Sequence, residues 1–327
     1  MKFAVTGGTG CLGRPLIQKI LKDGAYLNLL SVPNDHSFGC SHKKVNIIYG
    51  DINSSGILDR LCADCDVVFH LAGKVHSVPR TKDDEQEFYR VNLEGTKNLL
   101  EAAKRNRVKR VVFYSTVGVY GKDADFHGDE YSLCRPNSAY TKSKHLAEQL
   151  VLNSSQFGGP EGTVMRFPIA YGPLDRGNMA KLIKVIKSKV FFYFGDGSCS
   201  RSMISSQNAA EAAVNAAIEP KAANEIFCVT DGRDYTLKEI VSSVLSALNM
   251  SWKPYHLPVL MAELAGRSGD ILRKWCHISF PIDSDKVRKL SRSLTFSCEK
   301  TKRVLGYKPV EMLEEGISKE VIWLKSL

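Results

Sequence analysis

The sequence predicts an α/β fold, a doubly wound parallel sheet carrying a smaller interleaved lobe, and three observations point to it. Apolar runs without polar alternation recur through the first half, stretches of helical period lie between them, and a glycine-rich turn joins the first run to the first helix. Strands that are apolar on both faces and separated by helices belong to parallel sheets covered on both sides. After Gly172 the regular alternation stops, which places most of the second lobe in the C-terminal half.

In chain order, Lys2 to Thr6 reads as a strand, TGGTGCLG as a turn, and Leu12 to Leu21 as a helix with Leu12, Leu16, Ile17, Ile20 and Leu21 on one face. Further strand-like runs are Tyr26 to Leu30, Val45 to Tyr49, Val67 to Ala72, Val108 to Ser115 and Thr163 to Ala170. Helical patterns span Phe88 to Arg105 and Tyr140 to Asn153. Beyond Gly172 come a basic helix at Met179 to Lys187, the strand-like FFYFG, a helix near Asn208 to Ile218, a strand at Ile226 to Val229 and a long mixed tail. The division this implies gives residues 1–172 and 203–229 to the sheet domain and 173–202 and 230–327 to the second lobe. No internal repeat or low-complexity segment interrupts it.

At 327 residues, 43% apolar and 24% charged, the chain has the composition of an ordinary soluble protein, which argues against disorder, collagen or a coiled coil. Its 45 basic and 35 acidic residues leave a net charge of +10. That balance suits an anionic partner: nucleic acid, a membrane surface or a phosphorylated small molecule. Nucleic acid has no reading motif behind it, and Lys181, Lys184 and Lys187 read as a solvated face. The longest apolar stretches, such as VVFHLAG at Val67 to Gly73, fall short of the ~20 residues a membrane span needs. Nine cysteines and an opening MKFAVTGG without a signal layout suggest reduced thiols and a cytoplasmic protein. Cys62 and Cys65 form a single C-x-x-C with no second pair or histidine at metal spacing, so no metal is expected.

Gly7, Gly10 and Gly13 stand in the spacing G-x-x-G-x-x-G directly after a strand and at the opening of a helix. Glycine lets backbone approach a pyrophosphate while the helix N-terminus offers oriented N–H donors, so this turn points to a dinucleotide and the sheet to the Rossmann type. The acidic residue that would normally accept the ribose hydroxyls is replaced by Ser31, in LLSVPND. Serine would not repel a 2′-phosphate, no arginine stands beside it, and Asp35, His42, Lys43 and Lys44 lie further along. NAD and NADP both remain open, with a lean to NADP. Asp51, after the third strand, is placed either to meet the adenine amine or to cap its own turn.

Tyr140 and Lys144, in AYTKSKHLAEQ, project from one face of a helix at i and i+4. An ammonium beside a phenol favours the phenolate and would lower the tyrosine's pKa toward that of a useful base. Ser115 and Thr116 end the strand that begins near Arg110, at the carboxyl edge where ligands sit in such sheets, and Thr116 can hydrogen-bond the same substrate oxygen as Tyr140.

Together with the GD at Gly50-Asp51, HLAG at His70 to Gly73, VNLEGT at Val91 to Thr96 and RFPIAYGP at Arg166 to Pro173, these residues resemble the extended short-chain dehydrogenase/reductase superfamily in its NAD-dependent epimerase/dehydratase branch. The resemblance implies catalysis by Thr116, Tyr140 and Lys144, with threonine where serine often stands. It implies cofactor contacts from Gly7, Gly10, Cys11, Leu12, Gly13, Ser31, Asp51, Ile52, Leu71, Ala72, Gly73, Asn92, Tyr140, Lys144 and Phe167. It assigns Asn178 and Arg201, with Thr116, to a nucleotide-sugar substrate, the arginine gripping the diphosphate through its planar fork. It also implies a homodimer through the helices at Phe88 to Arg105 and Tyr140 onward, although Phe88, Val91, Leu99 and Leu100 suit an ordinary core equally well.

The expected chemistry is hydride transfer at C4 of a nucleotide sugar, with Tyr140 taking the hydroxyl proton. Val117 and Gly118 stand where the 4,6-dehydratases of the family carry an acid and a base, and the glutamate used for decarboxylation is missing too. Three outcomes remain in order: a UDP-sugar 4-epimerase of polysaccharide biosynthesis, an NADPH-dependent 4-ketoreductase, and a 3β-hydroxysteroid dehydrogenase or flavonoid-reductase type using the apolar LPVLMAEL. A dinucleotide-sensing module without activity ranks last, because such modules usually lose the tyrosine or the lysine and this chain has both.

Overall fold

The structure, a computed structural model, describes residues 1–33, 42–75, 79–122, 125–261, 287 and 291–326. Seven parallel strands form the main sheet: β1 (Lys2–Thr6), β2 (Tyr26–Ser31), β3 (Val45–Tyr49), β4 (Val67–His70), β5 (Arg110–Thr116), β7 (Glu161–Phe167) and β11 (Glu225–Cys228), in the order β11-β7-β5-β4-β1-β2-β3. The chain therefore reverses direction across the sheet between β1 and β4, and a crevice opens there at the carboxyl ends. The lack of polar alternation has a direct cause. Phe3 and Val5 of β1 face one core and Ala4 the other, while on β5 Val112 and Tyr114 oppose Val111 and Phe113.

One face is covered by α1 (Gly13–Lys22) and α7 (Ser206–Ile218), which add Leu16, Ile17, Ile20 and a run of alanines from Ala209 to Ala217. Helices α2 (Ser55–Cys62), α4 (Gly95–Arg105) and α5 (Ala139–Asn153) cover the other, with Leu58, Leu99 and Val151 fully buried. The helix expected from Phe88 to Arg105 is longer and interrupted. It begins as α3 (Lys82–Phe88), where Thr81 and Asp84 form a capping box, passes through a wide turn at Tyr89–Glu94 and continues as α4. Phe88, Leu99 and Leu100 are core of a single chain.

The second lobe is built on a sheet in the order β12-β10-β14-β6, from β6 (Phe126–Gly128), β10 (Ser200–Ser205), β12 (Asp234–Thr236) and β14 (Leu294–Phe296), with β8 (Ile169–Tyr171) also pairing β10. Its core joins α6 (Asn178–Lys187), α8 (Leu237–Leu248) and α10 (Leu313–Lys325) through Ile183, Val241 and Ile317. A two-stranded piece, β9 (Phe192–Phe194) with β13 (Tyr255–Leu257), borders it, and α9 (Glu299–Leu305) packs back on α7. Among the described residues no helix is long and apolar enough to cross a membrane.

Candidate active site

The glycine turn sits at the reversal between β1 and β4. Gly7 has φ +71°, and a Cβ there would lie 2.6 Å from the Ala72 backbone nitrogen, so the turn after β1 and the loop after β4 touch backbone to backbone. Gly13 is equally confined, since a Cβ would meet the Gly7 carbonyl oxygen at 2.6 Å. Gly10 differs: a Cβ would meet nothing within 4 Å, which leaves open space over the start of α1. That helix begins with no side-chain cap and no acidic residue in its first turn, so its positive end faces that space. A backbone cradle of this kind fits a pyrophosphate, and residues Gly7 to Gly13 would hold it.

A hydrogen-bond chain fixes the loop opposite. Thr96 Oγ1 donates to the Asn92 carbonyl at 2.6 Å, so His70 Nε2, at 2.9 Å, donates to Thr96 and His70 Nδ1 accepts from Thr6 Oγ1 at 2.8 Å. Thr6 Oγ1 then accepts the Ala72 N–H at 3.1 Å. Burial holds His70 down at about 3, which keeps it neutral in this role. Asn92, buried in the wide turn, accepts from the Lys74 N–H at 2.7 Å and donates to Ser143 Oγ at 3.0 Å, tying this loop to α5. Its carboxamide would meet a Cβ on Gly73 at 3.1 Å, which is why glycine ends HLAG.

Further out, Ser31 is buried at the end of β2 and its carbonyl accepts the Gly50 N–H at 3.0 Å. Asp51 caps its own turn, accepting from the Asn53 N–H at 2.9 Å, and these bonds, with Arg90 at 3.5 Å, hold its carboxyl below the usual range. Ile52 is buried against Gly95. Lys44 donates to the Gly24 carbonyl at 2.8 Å, at the opposite end of the sheet from the crevice. Asp35 lies outside the described residues. Cys11 is tied to the end of β8, its thiol donating to the Gly172 carbonyl at 3.7 Å.

Thr116 and Tyr140 meet at the carboxyl end of β5. Thr116 Oγ1 accepts the Gly118 N–H at 3.1 Å, which leaves its own proton free, and the hydroxyl lies near enough to the Tyr140 phenol to favour its ionised form. Tyr140 is placed by a capping box of Ser138 and Thr141 at the start of α5 and by the edge of the Phe88 ring, 6.2 Å between centroids. The electrostatics differ from the expectation. Burial pushes the Tyr140 phenol up to about 12, opposed only by the Thr116 hydrogen bond. Lys144 does not lower it, because its ammonium donates to the Tyr114 carbonyl at 2.5 Å and lies 3.8 Å over the Phe113 ring. Burial brings Lys144 itself down to about 7.

Below this pair lies a group that the sequence reading passed over. Glu148 accepts from Arg166 Nη2 at 2.7 Å and Nε at 3.1 Å and from Ser115 Oγ at 2.5 Å, with both charged side chains fully enclosed. Arg166 also donates to Tyr120 Oη at 2.9 Å. The available signal was spacing: Tyr140, Lys144 and Glu148 follow at i, i+4 and i+8 on one helix face. Phe167 pairs Thr116 across β5 and β7 and packs on Tyr114 at 4.8 Å between centroids.

In the second lobe Arg201 is buried on β10, and its Nη2 has no hydrogen-bond partner among the described residues. Burial holds this guanidinium below its ordinary pKa. An enclosed cationic donor without a partner is costly unless a ligand supplies one, and it fits a diphosphate oxygen. Asn178 is exposed as the first residue of α6, whose N-terminus is capped by Asp175 through the Gly177 and Ala180 N–H groups at 2.8 and 2.9 Å. The structure thus joins Thr116 to Tyr140 and packs Lys144 beneath the end of β5. Neither Asn178 nor Arg201 hydrogen-bonds to these three.

The NAD dependent epimerase/dehydratase family matches residues 3–230. The chain is 29% identical over 329 residues to UDP-glucose 4-epimerase of Vibrio cholerae, covering 95% of this chain and 92% of the relative. It is 28% identical over 318 residues to N-acetyl-α-D-glucosaminyl-diphospho-ditrans,octacis-undecaprenol 4-epimerase of Escherichia coli O157:H7, covering 96% and 92%. In structure it is similar to UDP-glucuronic acid 4-epimerase of Bacillus cereus in complex with NAD, with a TM-score of 0.78 at 23% identity, over 100% of this chain and 99% of that one.

Proposed function

The chain belongs to the NAD dependent epimerase/dehydratase family, and we propose that it inverts C4 of a nucleotide sugar, a UDP-hexose or UDP-N-acetylhexosamine. The observation that carries the substrate class is the buried Arg201 Nη2 without a partner, in the lobe that the cofactor cradle does not use. Sugar diphosphate is also common to the substrates named for the Vibrio and Escherichia relatives. Residues 1–172 and 203–229 serve the cofactor in this reading and 173–202 and 230–327 the sugar, with β6 and β8 reaching across from the first set.

Tyr140 as phenolate takes the C4 hydroxyl proton while Thr116 holds the same oxygen. A nicotinamide cofactor held by the Gly7 to Gly13 cradle would supply the hydride-transfer chemistry at C4. Arg201 and Asn178 grip the diphosphate and leave the hexose free to turn its other face between the two half-reactions. Holding the reacting atoms at contact distance removes an entropic barrier on the order of ~7–11 kcal/mol. Lys144 braces the carboxyl end of β5 and offers its ammonium to the cofactor's ribose side. NAD is the resident cofactor in this reading: Ser31 is buried at its strand end and Lys44 is held at the far end of the sheet, so neither Lys44 nor an arginine beside Ser31 is at hand for a 2′-phosphate. Two chains pair through the outer faces of α4 and α5, a cytoplasmic dimer; Leu146 offers an exposed apolar side chain there.

The test incubates the protein with UDP-, dTDP- and GDP-sugars and their 4-keto forms, with and without NADH or NADPH, following product by NMR and cofactor by absorbance. Isomer formed without net cofactor change supports the reading. Stoichiometric cofactor oxidation on a 4-keto sugar makes the protein a ketoreductase, and absence of turnover on every sugar moves the substrate to the sterol or flavonoid class.

A further inference from the structure

We propose that the C-terminal end of α6 and the adjoining β9–β13 ribbon form a docking surface for an anionic phospholipid membrane. Val190, Phe192 and Tyr255 are 58%, 42% and 70% exposed. Phe192 and Tyr255 are register partners across the ribbon, with ring centroids 6.4 Å apart, so their rings form one apolar patch on a two-stranded edge. Lys184 and Lys187 occupy the last turn of α6, and Lys189, with φ +58°, turns the chain from that helix toward β9.

The stretches of chain that carry the patch are one-sided in charge. The sequence carries no carboxylate between Asp175 and Asp196 or between Glu239 and Glu263. Elsewhere lysines are matched, as Lys300 with Glu225 at 2.7 Å and Lys109 with Asp66 at 3.0 Å, but Lys184, Lys187 and Lys189 make no ion pair with a described residue. A helix C-terminus gains from one or two cations near its last carbonyls, which accounts for Lys184 and Lys187 and not for Lys189 or for the exposed rings. Aromatic and aliphatic side chains within a lysine rim match the headgroup zone of an anionic bilayer, where rings enter the interface and ammonium groups meet phosphates. A second copy of this chain suits the patch less well, because a two-fold contact would press the same lysines together. Asn178 and Lys187 are the two ends of one ten-residue helix, so docking by this face would hold the sugar-diphosphate lobe within about 15 Å of the headgroups. The surface does not depend on which reaction the site performs.

The test sediments the full chain with vesicles of phosphatidylcholine alone and of phosphatidylcholine with phosphatidylglycerol, at low and high ionic strength. Binding is expected only to the anionic vesicles and should weaken with salt. Lys184→Gln, Lys187→Gln and Lys189→Gln together should lower the partition coefficient about a hundredfold, about fivefold per lysine. Phe192→Ser with Tyr255→Ser should also lower it, while thermal unfolding confirms that both variants remain folded. Equal binding to neutral vesicles, or unchanged binding of the variants, overturns the proposal. So does a wild-type dimer that Phe192→Ser with Tyr255→Ser dissociates while vesicles are ignored, since the patch would then be a contact between copies.

Discussion

Lys144 hydrogen-bonds the Tyr114 carbonyl at 2.5 Å and leaves the Tyr140 phenol to Thr116. The lysine therefore acts on the strand end and the cofactor side, and the proton chemistry rests on the Thr116–Tyr140 pair. Tyr140→Phe should lower turnover about 10²–10⁴-fold, the range for a removed general base. Cofactor affinity, followed by fluorescence titration, should change little. Turnover at the wild-type rate would remove Tyr140 from the mechanism.

Thr116→Ser keeps the hydroxyl that accepts the Gly118 N–H and favours the Tyr140 phenolate, and should keep most of the activity. Thr116→Ala removes the partner that favours the phenolate, so the acid limb of the kcat/KM pH profile should move to higher pH. A profile that stays in place while kcat falls would limit Thr116 to orienting the substrate.

Arg201→Met should raise KM for a nucleotide sugar about 10- to 100-fold, since hydrogen bonds to charged groups contribute roughly 1.5–3 kcal/mol. Because Nη2 is buried without a partner in the free protein, the same substitution should leave thermal stability unchanged or improve it. An unchanged KM would point to a substrate without a diphosphate.

Glu148 and Arg166 are enclosed together beneath the site. Arg166→Met leaves a buried carboxylate uncompensated and should cost about 3–5 kcal/mol in urea unfolding. Adding Glu148→Met should recover much of that loss, because the double variant removes both charges of the pair. Losses that simply add would mean that the two side chains do not act as a pair.

Glu320, on α10, accepts the Gly172 N–H at 2.8 Å with one oxygen and has no partner among the described residues for the other, and burial pushes its pKa up to about 8. A carboxyl raised from 4.5 binds more protons in the folded state, so its contribution is present below 4.5 and is lost as pH rises through about 8. The midpoint temperature of Glu320→Gln should therefore gain on the wild type across that window. Parallel curves would show that Glu320 titrates normally.

How much of this was legible follows from what each feature depends on. The strands at Lys2–Thr6 and Val45–Tyr49 and the glycine turn depend on local pattern, and the structure has them at those residues. The break at Tyr89–Glu94 was not legible, because the capping box at Thr81 starts the helix early and buried Asn92 needs the wider turn. The second sheet could not be read locally either, since β6 finds its partner β14 in the distant C-terminal part. The pKa of Tyr140 was misjudged because i, i+4 spacing gives proximity but not where the ammonium points, and Phe113 and Tyr114 decide that.

The most direct measurement of the central claim uses a UDP-hexose carrying deuterium at C4, incubated in ordinary water and followed by NMR. A hydride that leaves C4 and returns to it predicts the C4 epimer with its deuterium retained. An epimer whose deuterium is replaced by solvent hydrogen, or no epimer at all, would contradict the account.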